Sequence, residues 1–236
     1  QRRPLGSPVR PIALTPVCEL LALNANTPTD MAFSFRGLSR RGGAVGEHAD
    51  GWGLASFTPD GSGLDLIRED APAAFSQLAD QLAERSPKAL ISIAHIRKAT
   101  QGLVALENCH PFARSWKGQT WVFAHNGNLE NFHPRLHGHF HPVGQTDSER
   151  AFCWIMQELS KSHASVPSVE ELTLTLRELV PYIAKHGTFN FLLSNGQALW
   201  AHASTHLHYV LRQYPFKTAT LKDEDMQVNF ADQTNP

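Results

Sequence analysis

The sequence predicts an α+β layered fold, with mostly antiparallel sheets flanked by helices. Three observations carry this. Apolar strand-like runs are too numerous for simple strand–helix–strand units. Their order is strands, one helix, strands, two helices, strands. An Asn195-Gly196 dipeptide also sits between two apolar runs, which is a strong local signal for an antiparallel hairpin. At 236 residues the chain suits one large domain, or at most two small ones.

Residues 1–17 carry three arginines, four prolines, no acid and no hydrophobic period. They read as a disordered leader, an untranslated stretch with the start placed too early, or a removable propeptide. "CELLALNA", from Cys18, then reads as a buried strand, in which a cysteine is ordinarily a small hydrophobe. "DMAFSFRGLSRR" is a short helix or turn, and the glycine-rich "RGGAVGEHADGWG" follows it. "GWGLASF" and "GLDLIRE" are strands joined through "TPDGSG".

In "DAPAAFSQLADQLAERSP", Phe75, Leu78, Ala79 and Leu82 repeat at helical spacing, with Asp70 as N-cap and Pro87 as stop. "ALISIAHIR" and "TWVFAHN" are apolar strands that end in polar clusters. A second helix, "TDSERAFCWIMQELSKSH", places Phe152, Ile155, Met156 and Leu159 on one face, and Thr146 with Glu149 forms a capping-box pattern. A third helix, from Ser168, has Glu171 to complete its box and Gly187 as its stop. The Asn-Gly hairpin joins "TFNFLLS" to "QALWAHA", and "HLHYVLRQ" (206–213) is expected to pair beside it.

Composition excludes several function classes. The formal net charge is −1, so no basic field calls for nucleic acid or a membrane surface. No apolar run approaches the roughly 18 residues a membrane span needs. Cys18, Cys109 and Cys153 have no metal-ligand spacing, and so sparse and odd a set points to a reducing compartment, the cytoplasm. Cys109 and Cys153 are expected to be buried and unreactive, the latter among apolar partners. His137, His139 and His141, with His133 nearby, would share a strand face. With no Cys or acid in that run to complete a metal site, a solvated His-rich hairpin is the expectation.

Four polar clusters fall at or just after strand ends, where rigid scaffolds carry reactive groups. They are Cys18, "AHIRKATQG" (94–102), "FAHNGNLE" (123–130) and "GQTDSE" (144–149). An N-proximal Cys, then His-x-Arg-x-x-Thr, His-Asn-Gly and Thr-Asp-Ser-Glu, in that order, resembles the class II glutamine amidotransferases, which are N-terminal-nucleophile hydrolases. "CELLALNANTPTDMAFSFRGLSRRGG" and "HADGWGLA" look most like their stand-alone YafJ-type branch. The likeness runs from Cys18 almost to the C-terminus.

The resemblance implies an αββα sandwich of two stacked antiparallel sheets over residues 18–236, with no cofactor and no metal. It makes Cys18 the nucleophile. Its α-amine, with an ordinary pKa near 8, takes the thiol proton. That amine exists only where the Val17–Cys18 bond is absent. Either Val17 stands in the place of an initiator that is later removed, or residues 1–17 are a cleaved propeptide. The Asn126 amide and the Gly127 N–H are implied as oxyanion donors, glycine allowing close approach to substrate. Arg97 would take the substrate α-carboxylate and Asp147 its ammonium. Thr100 and Gly102 match a loop that closes over substrate, although Lys98-Ala99 stands where relatives often carry an aromatic. Asp50, His95, Asn108 and His125 are implied as supporting residues, and Arg40 or Arg41 as ordering the loop over Cys18.

The implied reaction releases glutamate from glutamine or a γ-glutamyl compound. The ammonia is either released or passed to a separate accepting subunit. The rival readings are a γ-glutamyl peptide hydrolase that ignores free glutamine, and a non-catalytic glutamine-binding subunit. YafJ-type relatives continue into a further strand after "FADQTNP". A missing strand there would expose a sheet edge and bear on homo-oligomer formation.

Overall fold

Two four-stranded antiparallel sheets lie face to face in the computed structural model, which describes residues 18–231. The expectations for residues 1–17, and for the chain beyond 231, lie outside the described residues. The first sheet has the order β1 (Glu19–Thr29), β4 (Ala89–Ile96), β2 (Trp52–Phe57), β3 (Leu64–Glu69). The second has the order β5 (Phe112–Trp116), β6 (Gln119–Leu129), β7 (Gly187–Ser194), β8 (Leu199–His202). Helices α1 (Ala32–Arg40) and α2 (Gln77–Glu84) cover the first sheet, and α3 (Asp147–Ser162) and α4 (Val169–Ala184) cover the second. This is the expected αββα layering.

The period-two rule of strands divides three cores between these layers. On β4, Ile91 and Ile93 face the second sheet, while Ala94 and Ile96 face α1 and α2. On β6, Val122 and Ala124 face the first sheet, while Trp121 and Phe123 face α3 and α4. The same alternation continues past the apolar centre. It puts His95 and Arg97 on the inter-sheet side of β4, and Asn126 on the inter-sheet side of β6.

Several local expectations are corrected. Helix α2 starts late: Ser76, not Asp70, is the N-cap, its hydroxyl accepting from Ala79 N–H at 3.0 Å. Phe75 therefore falls outside the helix and is exposed. Thr146 caps α3 as expected, but the box is half-formed. Glu149 turns instead to Arg114 and to the N–H groups of Val143 and Gly144. Ser168 and Glu171 complete theirs. The hairpin loop between β7 and β8 has four residues rather than two, since Ser194 pairs with Leu199.

Segment 206–213 forms no strand. Asn190 Oδ1 accepts from Ser204 and Thr205 N–H at 2.9 and 3.0 Å, which holds the chain against β7 instead of letting it reverse along the four-residue β8. A separate small hairpin, β9 (Thr218–Thr220) with β10 (Gln227–Asn229), follows. The histidine run 133–141 is irregular, so its shared strand face does not arise. Among the described residues no group of three or more His, Cys, Asp or Glu is arranged to hold a metal ion, and no helix is long and apolar enough to cross a membrane.

Candidate active site

The four sequence clusters meet at one end of the inter-sheet layer. Cys18 stands just before β1, whose Glu19 pairs with Ile96 of β4, so Cys18 lies beside the Arg97–Lys98 segment. Lys98 brackets its sulfur from the backbone: Lys98 N–H donates to Sγ at 3.3 Å, and Sγ–H donates to the Lys98 carbonyl at 3.4 Å. Across the layer, Asn126 Nδ2 donates to the Cys18 carbonyl at 2.5 Å. Burial pushes the Cys18 thiol up to about 12, against the lowering pull of the Lys98 N–H and Arg97. A thiol in that state needs a base beside it to act as a nucleophile.

Arg97 is only 2% exposed. Its guanidinium donates to the carbonyls of Asp50 (3.3 Å), Gln101 (3.0 Å) and Gly102 (3.5 Å), so the loop after β4 folds back onto the cation. Asp50 grips that loop a second time, its carboxylate accepting from Ala99 N–H at 2.8 Å. Gly102 makes the turn at φ +76°, a conformation glycine adopts without strain. Thr100 is exposed on the loop and bonds to none of the cluster. Asn108 ties the loop to the approach to α3, donating to the Leu103 carbonyl (2.9 Å) and accepting from Gln145 N–H (2.8 Å).

Asp147 is 4% exposed at the first position of α3, where the helix dipole favours a carboxylate. Its Oδ2 accepts from Leu129 N–H at 2.7 Å. Gly127 has no room for a side chain: a Cβ there would overlap the Thr188 carbonyl oxygen and crowd His125 Nε2. The strand β7, and not only the approach of substrate, thus requires glycine.

The Gly127 N–H follows from the ladder. Glu130 N–H donates to the His186 carbonyl in the register that pairs Asn126 with Asn190. Antiparallel pairs alternate, so Asn126 and Asn128 bond to β7 while His125, Gly127 and Leu129 turn their backbone groups away from it. Two of these three are taken. His95 Nε2–H donates to the His125 carbonyl at 3.2 Å, and Asp147 accepts from Leu129 N–H. Between them the Gly127 N–H faces away from β7.

His95 and His125 are neutral. Burial lowers the His95 pKa to about 3, and burial lowers that of His125 against the pull of Asp147. Arg41, one of the two arginines expected beside Cys18, pairs with Glu19 at 3.2 Å and with Asp223 at 2.7 Å.

Four further participants lie in or beside the matching motifs but were given no role by the sequence. Ser148 Oγ lies 2.8 Å from His125 Nδ1. Gln101 Nε2 donates to Asn128 Oδ1 at 2.7 Å. His48 and His110 are buried, and the His110 ring lies tilted against His95, with ring centroids 4.2 Å apart. Cys109 and Cys153 are buried, with thiols pushed up to about 11 by burial. Cys153 is not among apolar partners alone: Arg114 Nη2 lies 3.7 Å from its sulfur.

Comparison with known proteins points the same way. The model of the class-II glutamine amidotransferases matches residues 17–236. A Haemophilus influenzae protein whose name assigns it to the glutamine amidotransferases is 46% identical over 224 residues, covering 94% of this chain and 75% of that one. YafJ of Escherichia coli, assigned likewise, is 41% identical over 221 residues, covering 93% and 86%. A crystal structure from Pseudomonas aeruginosa, described as a predicted glutamine amidotransferase, aligns with a TM-score of 0.70 at 36% identity, covering 93% of this chain and 85% of that one.

Proposed function

The chain belongs to the class-II glutamine amidotransferases, and on that footing we propose that it cleaves the γ-amide of glutamine or another γ-glutamyl compound through a Cys18 thioester. The observation that carries the reading is one constellation. A buried thiol, an amide donor at 2.5 Å from its own residue, and two buried opposite charges, Arg97 and Asp147, lie at one strand end.

In a chain that begins at Cys18, the α-amine takes the thiol proton and Sγ attacks the γ-carbonyl carbon. The C–O π pair moves onto oxygen, and Asn126 Nδ2 and the Gly127 N–H receive that charge. The oxyanion collapses, the C–N bond breaks, and the amine's proton leaves with ammonia. Water then attacks the thioester, its proton passing to the amine, and Sγ departs to give glutamate. Arg97 holds the α-carboxylate and Asp147 the α-ammonium. For Arg97 to do so the loop must release it, because the Gln101 and Gly102 carbonyls hold the guanidinium here. Arg97 and Asp147 read only the glutamyl head, so one site serves free glutamine and γ-glutamyl amides alike.

The test is glutamate release by protein starting at Cys18, its N-terminus verified by intact mass, with glutamine and γ-glutamyl dipeptides as parallel substrates. Turnover should appear, and should vanish in Cys18→Ala with the fold intact. Equal turnover by protein that retains residues 1–17, or by Cys18→Ala, would overturn the mechanism.

A further inference from the structure

We propose that Ser148 is a positioning residue for this reaction, and that with Asp147 it forms a two-point clamp that fixes the Gly127 N–H. The inference rests on the reading that Gly127 is an oxyanion donor. Among the described residues the first turn of α3 hydrogen-bonds to β6 at two residues, and they flank Gly127 symmetrically. Asp147 takes the Leu129 N–H two positions after it, and Ser148 meets the His125 ring two positions before it. Among the described residues β6 has no strand neighbour on this edge, because β5 pairing stops at Phe112–Phe123. The clamp replaces the missing ladder.

The proton positions follow from the acceptors. The Thr188 carbonyl lies 3.1 Å from His125 Nε2 and can only accept, so Nε2 carries the proton. Burial favours the neutral ring, which leaves Nδ1 as a lone pair able to accept from Ser148 Oγ–H at 2.8 Å. Serine has one hydroxyl proton. At 3.4 Å its contact with Asp147 Oδ1 is the longer and weaker of the two to which it can donate, so that oxygen keeps capacity for a substrate ammonium. Ser148 thus serves both halves of the site. It holds the ring whose backbone precedes the oxyanion donors, and it leaves the ammonium acceptor unblocked.

The prediction for Ser148→Ala is a split. Because an aligned oxyanion donor acts in the transition state, kcat should fall about tenfold or more while KM and glutamate affinity stay within about twofold. Two spectroscopic readouts do not need turnover. The His125 imidazole nitrogens should show a protonated Nε2 and a hydrogen-bonded, unprotonated Nδ1 in the native protein, the Nδ1 shift should move to that of a lone pair without its donor in Ser148→Ala, and the amide protons of Gly127 and Leu129 should exchange faster. Unchanged nitrogen shifts and exchange in Ser148→Ala would overturn the clamp whatever the activity. So would KM, glutamate affinity and kcat all worsening together, the mark of a general loss of structure. Native protein inert to every γ-glutamyl substrate would instead refute the proposed reaction, and the spectra would still decide the clamp.

Discussion

Acidification should unfold this protein through its buried histidines, and His95 sets the scale. Its Nε2–H donates to the His125 carbonyl, the ring is fully buried, and burial lowers its pKa to about 3. In the unfolded chain the value returns to about 6.5. The unfolded state then binds the proton that the folded state refuses, so stability rises with pH across this window and falls as pH drops below the unfolded pKa. Between pH 7 and pH 5 the unfolded ring goes from about one quarter to nearly fully protonated while the folded ring stays neutral. Integrating the linkage gives a loss of about 2 kcal/mol from this residue alone. That is a large share of the 5–15 kcal/mol typical of a domain. His110 and His125, both held neutral by burial, act in the same direction. The assay is urea unfolding at pH 7, 6 and 5, with the His95 ring followed by NMR. A stability that is flat or rising towards pH 5, or a His95 ring that titrates near 6.5 in the folded protein, would refute the buried neutral imidazole.

Three further outcomes test the site. Asn126→Ala should lower kcat for glutamate release by about 10²–10³-fold with little change in KM, measured in steady-state assays of chains starting at Cys18. Gly127→Ala should cost several kcal/mol in urea unfolding, because the added methyl meets the Thr188 carbonyl in the centre of a strand pair; an unchanged midpoint would contradict the β6–β7 packing. The Cys18 thiol, pushed up to about 12 by burial, should react with iodoacetamide far more slowly at pH 8 where Val17 remains attached than where the amine is free; equal rates would mean that the amine is not its base.

The sequence revealed what depends on period and local chemistry. The Thr146 and Ser168 caps, the apolar alternation of β4 and β6 and the helical stripe of α3 were all legible, because each is written within a few residues. What failed depended on which of several available partners the folded chain selects. Phe75 fits the α2 stripe by spacing, but Ser76 starts the helix after it. Glu149 has the sequence position of a capping-box residue, yet the half-buried Arg114 and two loop N–H groups claim its carboxylate. Residues 206–213 alternate like a strand, but Asn190 redirects the chain just before them. At the site, residue types could suggest Cys18, Arg97, Asn126 and Asp147 as candidates. They could not show that loop carbonyls hold Arg97, or that Ser148 meets His125, since those bonds depend on how the loop after β4 folds back and on where α3 docks against β6.

The placement of the site follows from the same alternation that builds the core. Along β4 the inter-sheet positions read Ile91, Ile93, His95, Arg97, and along β6 they read Val122, Ala124, Asn126. Each series is apolar where the sheets pack and turns polar at the next step. A buried Arg or Asn in mid-layer would leave donors without partners, at a cost of about 1–3 kcal/mol each or more for the charge. At the strand ends, loop carbonyls supply the partners instead: Gln101, Gly102 and Asp50 for Arg97, and Cys18 for Asn126. Those partners are exchangeable, since a substrate carboxylate can replace a loop carbonyl on Arg97 and an oxyanion can receive the Asn126 amide. The end of the inter-sheet layer is therefore the place where this fold can hold buried donors satisfied at rest and still release them to a ligand.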